Sequence, residues 1–219
     1  MSKFNELHEL KEKMEADDSL PLKKGANKLV FGSGNTEASI LCIGEGPGRT
    51  EDQTGLPFVG QAGKLLEKFL LLAGLERKKV FITNIVHHRP PENRDPEPSE
   101  ISAYGKYLDK IIEIIDPKVI ITLGRFSMAK FLPNVFTTLP NGEEVSRTPT
   151  ISAVHGKRYE VFLGGRSVVV VPMYHPAASL RNGSVLKSEK LDFINLKNIL
   201  DEIFNPKNDT VEVQQNSLI

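Results

Sequence analysis

Four short apolar runs, separated by segments of helical periodicity, constrain the fold of this chain more than any other feature. Their sequences are SILCIG (39–44), VFITNIV (80–86), KVIITLG (118–124) and SVVVVPMY (167–174). Runs this short and this apolar are typical of strands that are covered on both faces. Helical patterns are found over 61–73, 99–115, 125–132 and 187–204. This alternation predicts an α/β fold, with helices on both faces of a mainly parallel sheet.

The remaining segments define the limits of the domain. Apolar residues spaced three or four apart predict an amphipathic helix within 1–28, and we expect this helix and its loop to pack on the rest. A hairpin is predicted about Gly164 and Gly165. We therefore expect one domain over 1–205, followed by a flexible tail at 206–219.

Composition limits the chemistry that the chain can perform. Its 28 basic and 28 acidic residues cancel, so a nucleic-acid ligand would need a local basic face. The single cysteine, Cys42, lies in an apolar run and is predicted to be buried, and alone it can form neither an internal disulfide nor a cysteine-ligated zinc or iron–sulfur site. A reducing compartment is therefore expected. The charged N-terminus does not resemble a signal peptide, and no apolar run approaches the ~18 residues of a membrane span.

The loops that follow the four predicted strands are the most unusual parts of the sequence. They are GEGPGRTEDQTGLPFVGQAG (44–63), NIVHHRPPENRDPEP (84–98), LGR (123–125) and YHPAASLRNGS (174–184). In an open parallel sheet, ligands bind beyond the carboxyl ends of the strands. We therefore expect the functional site at the edge where these loops meet.

The first loop contains many glycines and three carboxylates. Glycines let a ligand approach the backbone, but an internal proline and a late helix start disfavour a dinucleotide site. Glu45, Glu51 and Asp52 suit either functional carboxylates or ordinary caps and solvated turn residues. Phe58 suits either core packing or a stacking surface for a planar ligand. The loop by itself leaves these alternatives open.

The last of these loops places a histidine at a strand end. Pro176 holds His175 away from helical geometry, and a histidine there can act on a ligand oxygen, although a lone histidine is more often structural. Leu180 beside Arg181 pairs an apolar side chain with a cation that can bind phosphate. Such a pair suits a protein that enters duplex DNA.

Taken together, four motifs resemble the uracil-DNA glycosylase superfamily, and specifically its family 4 enzymes. The motifs are GEGPGRTEDQTGLPFVGQAG, TNIVHHRPPENRDPEPSEI, LGR and YHPA, and the similarity runs from about Leu29 to Leu200. The resemblance implies a three-layer α/β/α fold with a central four-stranded, mainly parallel sheet. It also implies a DNA repair enzyme that flips deoxyuridine out of DNA and hydrolyses its N-glycosidic bond, releasing uracil and leaving an abasic site.

The resemblance also assigns roles to individual residues. Phe58 would stack on the flipped base, the Asn84 amide would hydrogen-bond the uracil edge, and His175 would donate to uracil O2. The implied base-binding residues are Gly44, Gly46, Phe58, Asn84 and His175, and the implied catalytic residues are Glu45, Glu51, Asp52 and His175. Candidate DNA contacts are Arg89, Arg94, Lys157, Arg158, Leu180 and Arg181.

One departure from the family pattern concerns its cofactor. Family 4 enzymes carry an iron–sulfur cluster on four cysteines, and the matching positions here are Asp17, Leu20, His88 and Tyr104. Because such clusters depend on thiolates, we predict that this chain has no cluster and binds no metal. Leu20 and Tyr104 would then fill the volume, with His88 hydrogen-bonded nearby. A zinc ion held by Asp17, His88 and a further group is the alternative.

Two further departures concern catalysis. Gly46 stands where the best-known uracil glycosylases have an aspartate, so water activation falls to Glu45, Glu51 or a main-chain group. His87 stands where relatives often have lysine, and some superfamily members use a histidine in this loop to bond covalently to the sugar. Their longer basic insertion is missing here, which disfavours covalent capture.

The implied partner is uracil-containing DNA, single- or double-stranded, bound by a monomer that does not associate with membranes. The expected location is the cytoplasm, at the nucleoid, or another reducing compartment that contains DNA. Two other functions stay open: a weak or inactive protein that binds uracil or other damage in DNA, and a glycosylase of shifted specificity for hypoxanthine or xanthine. Asn84 weighs against the second of these.

Overall fold

The structure, a computed structural model, describes residues 1–133, 135–138 and 144–206, with the backbone alone for 135–138, 144 and 145. The strands are β1 (Ser33–Gly34), β2 (Ile40–Gly44), β3 (Phe81–Asn84), β4 (Val119–Leu123), β5 (Val135–Thr138), β6 (Glu144–Arg147), β7 (Tyr159–Leu163) and β8 (Arg166–Met173). The α-helices are α1 (Lys3–Ala16), α2 (Arg49–Thr54), α3 (Gln61–Leu72), α4 (Pro98–Ile115), α5 (Arg125–Phe131), α6 (Ile151–Val154), α7 (Pro176–Ser179) and α8 (Gly183–Phe204).

The main sheet has the strand order β1-β3-β2-β4-β8-β7. The four central strands are parallel, whereas β1 and β7 pair antiparallel at the two edges. β5 and β6 form a separate antiparallel pair. The predicted four-stranded parallel core is confirmed, and the edge strands widen the sheet to six. The predicted hairpin is the β7–β8 pair, whose turn residues Gly164 and Gly165 both have positive φ.

The two faces of the sheet carry separate apolar cores. Along β2, Leu41 and Ile43 belong to the cluster that includes buried residues of α1 and α4. Ile40 and Cys42 alternate with them and belong to the cluster on the α3 and α8 side. This period of two, with both faces covered, produces the predicted three-layer α/β/α arrangement. Cys42 is fully buried, as predicted, and burial raises the pKa of its thiol to about 12.

Local capping explains where the helices begin. Glu97 and Glu100 form a reciprocal capping box around Pro98, which starts α4 directly after the second loop. The last helix begins at Gly183 rather than at the predicted 187, because the Asn182 side chain accepts from two backbone N–H groups of the first turn. The loop after β2 contains α2, which was not predicted because six residues are too few for a helical period to show.

The ends of the chain are only partly described. Helix α1 packs against α4, and its Leu7 and Met14 are buried in the same cluster as the α4 residues. The domain boundaries at 1–205 stay a prediction, and the predicted tail lies outside the described residues except for Pro206. Across the described ranges, no helix combines the length and the apolar character needed to cross a membrane.

Candidate active site

The first and second loops meet above Gly44, at the carboxyl ends of two neighbouring strands. Gly44 on β2 is paired in register with Asn84 on β3. A Cβ atom on Gly44 would lie 2.4 Å from Asn84 Oδ1 and 2.6 Å from the Phe58 ring. The absence of a side chain at Gly44 therefore lets the amide and the aromatic ring converge.

Asn84 is a buried amide with an unused acceptor. Its side chain is 1% exposed, and Oδ1 has no hydrogen-bond partner among the described residues. An unpaired buried acceptor costs about 1–3 kcal/mol. A ligand that brings an N–H group to this oxygen would remove that cost.

His175 faces Phe58 from the loop after β8. The two ring centroids are 5.7 Å apart, with the planes tilted by 31°. The Ala177 N–H donates to His175 Nδ1 at 3.1 Å, so the proton of the neutral ring is carried by Nε2. Burial lowers the pKa of His175 to about 4, although the charge of Glu51 opposes this shift. At neutral pH His175 is therefore an uncharged donor through Nε2.

Of the three carboxylates in the first loop, Glu51 is the one whose charge affects the pKa of His175. It lies on α2, is 9% exposed, and accepts at Oε1 from the N–H groups of Val59 (2.9 Å) and Gly60 (2.8 Å). Among the described residues, none donates a hydrogen bond to Glu51 Oε2. One oxygen of Glu51 thus orders the loop that carries Phe58, and the other is available to accept a hydrogen bond.

Asp52 and Glu45 have hydrogen-bond partners elsewhere in the protein. Asp52 is 2% exposed and accepts from the Asn27 backbone N–H at 2.8 Å and from the Asn27 side-chain amide. Glu45 accepts from the Phe126 N–H at 3.0 Å, at the start of α5, and burial raises the pKa of its carboxyl group. These two carboxylates tie the first loop to Asn27 and to the start of α5, and their proposed catalytic role stays a prediction.

Comparison with known proteins agrees with this arrangement. A family description of the uracil DNA glycosylase superfamily matches residues 31–197.

The chain belongs to the uracil-DNA glycosylase superfamily.

Its relatives include proteins named type-4 uracil-DNA glycosylase. One from Sulfurisphaera tokodaii is 42% identical over 95% of this chain and 90% of its own length. One from Archaeoglobus fulgidus is 45% identical over 78% of this chain and 82% of its own length. One from Thermotoga maritima is 41% identical over 79% of this chain and 82% of its own length. The family and the fold class predicted from the sequence are thus confirmed.

Two of the candidate DNA contacts, Leu180 and Arg181, lie on the loop that carries His175. Leu180 is 50% exposed, and Arg181 is exposed beside it. The charge of Arg181 adds to the effect of burial in lowering the pKa of His175. On the second loop, Arg89 is half-buried and donates to Asn93 Oδ1 at 2.7 Å. Leu180 and Arg181 are therefore exposed candidate contacts on the loop that carries His175.

The other cations predicted to contact DNA have partners within the protein. Arg94 donates two hydrogen bonds to Glu100, at 2.8 and 2.6 Å, and so supports the start of α4. Arg158 pairs with Glu160 at 2.8 Å, and Lys157 donates to a backbone carbonyl of α6 at 2.7 Å. Their use in DNA binding would require them to exchange or share these partners.

The resemblance matches Asp17, Leu20, His88 and Tyr104 to the cluster ligands of family 4. These four residues are here named the cluster-equivalent region. His88 Nδ1 and the Tyr104 hydroxyl are 2.8 Å apart, and Tyr104 is completely buried. Asp17 accepts from Lys106 and from Tyr107, both at 2.8 Å.

These residues do not fit an iron–sulfur cluster. None of them is a thiolate, and Cys42 lies in the core on the other face of the sheet. Within the described part of the chain, no three His, Cys, Asp or Glu side chains come together as a metal site.

His87 is held in the core beside this region. It is completely buried, and its Nε2 lies 3.1 Å from Thr83 Oγ1, which in turn donates to the Phe31 carbonyl at 2.7 Å. Because no part of its ring reaches the surface, His87 is out of reach of a sugar in bound DNA.

Two residues at the site were missed by sequence reasoning. Asn27 binds Asp52, and Arg77 donates to the carbonyls of Pro57 and Phe58. Arg77 stands in the sequence ERKK, where it resembles an ordinary solvated cation. No local signal in the sequence distinguishes it from its neighbours.

Proposed function

We propose that this protein is a uracil-DNA glycosylase that flips deoxyuridine out of DNA, hydrolyses its N-glycosidic bond, and works without an iron–sulfur cluster. Membership of the superfamily and the names of its relatives support a DNA glycosylase. One observation carries the choice of base: the buried, unpaired Oδ1 of Asn84 beside the Phe58 ring.

Asn84 would select uracil by hydrogen-bond polarity. Its Oδ1 accepts from uracil N3–H, while its NH₂ group donates to uracil O4. Cytosine presents an acceptor at N3 and a donor at N4, so the same amide would meet it with both bonds reversed. A site that leaves buried polar groups unpaired with the wrong ligand discriminates strongly against that ligand. Phe58 would stack on the plane of the base.

His175 would stabilise the departing uracil. Cleavage places negative charge on the base, and a neutral donor positioned at O2 lowers the free energy of that state. The hydrogen bond from Ala177 leaves the proton of His175 on Nε2, as this role requires.

Glu51 would orient and activate the attacking water. Its Oε2 receives no hydrogen bond from the described residues, whereas Glu45 and Asp52 bind the α5 backbone and Asn27. Glu51 also lies close enough to His175 for its charge to affect the pKa of that ring. We therefore favour Glu51 over Glu45 and Asp52 for this step, with Gly44 and Gly46 lining the pocket by their backbone.

DNA would be bound by a local face, because the protein carries no net charge. Leu180 would enter the gap left by the flipped nucleotide, and Arg181 and Arg89 would contact phosphates. Arg94, Lys157 and Arg158 would contribute outer contacts. We propose that the protein acts as a monomer, in a reducing compartment that contains DNA.

The side chains at the four matching positions support the proposed absence of a cluster. Leu20 offers no ligand atom, and Tyr104 and His88 are hydrogen-bonded to each other. In this chain, the packing of Tyr104 and Leu20 and the bonds of Asp17 would hold together the parts that the cluster holds together in family 4 enzymes.

A base-release assay tests the proposal. The protein is incubated with single- and double-stranded oligonucleotides that carry uracil, cytosine, thymine, hypoxanthine or xanthine, and the free base and the abasic site are measured. We expect release of uracil, and loss of at least about 100-fold in its rate for Asn84→Ala. Asn198→Ala, an exposed asparagine on α8, is the matched control.

The outcomes separate the alternatives. Tight binding of uracil-containing DNA without release would favour a binding protein, and release of hypoxanthine or xanthine in preference to uracil would favour shifted specificity. Equal uracil release by Asn84→Ala and Asn198→Ala would refute the role of the amide.

A further inference from the structure

Phe58 adopts a backbone conformation that an aromatic residue seldom adopts. Its φ is 51°, in the left-handed region, yet the residue is neither a glycine nor an asparagine. A bulky side chain in this region is strained, and the conformation persists only where surrounding contacts enforce it. The direction of the Phe58 ring therefore depends on whatever holds its backbone.

Arg77 holds the backbone before and at Phe58. Its Nη1 donates to the Phe58 carbonyl at 2.8 Å, and its Nη2 donates to the Pro57 carbonyl at 2.5 Å. The two nitrogens of one planar guanidinium thus bind two successive carbonyls. Arg77 precedes β3, and Asn84 ends it, so Arg77 acts from the end of the strand opposite to the base pocket.

Glu51 holds the backbone after Phe58. Its Oε1 accepts from the N–H groups of Val59 and Gly60. A glycine at position 63 is also required, because a Cβ there would lie 1.9 Å from the Phe58 carbonyl oxygen. Four charge-assisted hydrogen bonds therefore enclose Phe58, two from a cation on one side and two to a carboxylate on the other.

We propose that Arg77 is a positioning residue for base stacking, which with Glu51 clamps Phe58 in its left-handed conformation so that the ring faces the flipped uracil. This inference rests on the proposed function. Arg77 touches neither the base nor His175, so its effect on the reaction passes entirely through Phe58.

The clamp requires the shape of arginine as well as its charge. A lysine at position 77 would keep the charge but lose the planar fork that reaches both carbonyls. We therefore expect single-turnover uracil release to be fastest for the native protein, slower for Arg77→Lys and slowest for Arg77→Met. The reduction for Arg77→Met is expected to be about 10- to 100-fold, as for the loss of hydrogen bonds to a charged group.

A double-mutant cycle tests the route of this effect. Single-turnover rates are measured for Arg77→Met, Phe58→Ala and the double variant, with Lys78→Met as the matched control. Lys78 is the adjacent exposed cation, paired with Glu76. In the Phe58→Ala background, we expect Arg77→Met to lose most of its effect, since contacting residues that act through one another are not additive. Additive losses, or a native rate for Arg77→Met, would overturn the proposal.

A fluorescence measurement makes the test independent of activity. The chain contains no tryptophan, so Phe58→Trp introduces a single reporter at the clamped position. In this background, Arg77→Met should shift the emission to longer wavelength and Lys78→Met should not, because only the first lets the ring leave its buried site. No difference between the two would overturn the clamp.

These readouts also distinguish other kinds of failure. If the native protein releases no uracil, the proposed function fails while the tryptophan emission still tests the clamp. If Arg77→Met does not fold, as judged by its thermal unfolding, Arg77→Lys carries the same comparison, and a native rate together with native emission for Arg77→Lys would count against a bidentate clamp.

Discussion

The base pocket and the cluster-equivalent region differ in whether their polar side chains have hydrogen-bond partners. In the pocket, formed by Gly44, Phe58, Asn84 and His175, the Asn84 Oδ1 is buried and has no partner among the described residues. In the cluster-equivalent region, the Asp17 carboxylate and the His88–Tyr104 pair are engaged in hydrogen bonds.

We infer from this difference that the base pocket is the region that binds a ligand. An unpaired buried group lowers stability, and in the pocket a bound base would supply the partner that Asn84 Oδ1 lacks. His87 Nδ1, beside the cluster-equivalent region, is also buried without a partner among the described residues, but its ring is completely buried and out of reach of a ligand. We therefore expect the residues of the cluster-equivalent region to act through packing and hydrogen bonds within the protein. Substitutions in the pocket should therefore change chemistry, and substitutions in the cluster-equivalent region should change stability.

The largest effect is expected for His175→Ala. Loss of the donor to the departing base should lower the single-turnover rate of uracil release by about 100- to 1000-fold, as for other oxyanion donors. Binding to an oligonucleotide with an abasic site should stay close to native. Because the pKa of His175 is about 4, the native rate should show no loss with a midpoint near pH 6.5, the ordinary histidine pKa. His8→Ala, an exposed histidine on α1, is the control, and equal rates for the two variants would contradict the assignment.

Tyr104→Ala is the corresponding test in the cluster-equivalent region. Removing a completely buried aromatic ring should lower the free energy of unfolding by about 3–5 kcal/mol. Tyr104→Phe removes only the hydroxyl group and leaves His88 Nδ1 without this partner, so it should cost about 1–3 kcal/mol. Urea unfolding measures both, and the rate of uracil release per folded molecule should be unchanged. A loss of catalysis in fully folded Tyr104→Phe would break the contrast between the two regions.

Acid should weaken the fold through the same region. Burial lowers the pKa of His88 to about 4 and that of His87 to about 3, while both stay near 6.5 in the unfolded chain. Their contribution to stability is therefore complete above pH 6.5 and is lost as the pH falls toward the folded-state values. For His88→Gln, the stability deficit relative to the native protein should shrink by about 1–2 kcal/mol between pH 7 and pH 4.5. A deficit that does not change with pH would contradict this.

The smallest effect is expected for Lys106→Met at the edge of the cluster-equivalent region. The hydrogen bond from Lys106 is the main reason that the pKa of Asp17 is low, followed by those from Ser19 and Tyr107. Because the Lys106 side chain is 60% exposed, its loss should change the free energy of unfolding by less than about 1 kcal/mol. NMR titration should show the pKa of Asp17 rising toward its ordinary value. A larger loss of stability would mean that this ion pair contributes more than surface pairs usually do.

Much of the fold could be predicted because its signals are local. The apolar runs that form β2, β3, β4 and β8 are short, strongly apolar and spaced by helical periods. Elements of two to six residues, such as β1 and α2, were missed, since they are too short to show a period. Helix α8 begins at Gly183 because the Asn182 side chain caps it there, although the apolar periodicity had predicted a start at 187.

The site could be predicted only in part. A motif identifies which residues are present, but it does not show which partners their side chains contact in the fold. Glu45, Glu51 and Asp52 lie within one loop of the sequence, yet Glu51 is the one whose charge affects the pKa of His175, whereas Glu45 and Asp52 bind other parts of the protein. Their partners, Asn27 and Phe126, come from distant parts of the chain. The role that we infer for Arg77 likewise depends on carbonyls about twenty residues earlier, which no local pattern reveals.

The central claim is that a base pocket of this kind works in a protein whose cluster ligands have been replaced. It is tested most directly by measuring iron content, zinc content and uracil release on the same purified sample. We expect release of uracil from DNA by protein without stoichiometric iron or zinc, at a rate that chelators do not change. Stoichiometric metal whose removal abolishes release, or no release of uracil by the folded protein, would contradict the claim.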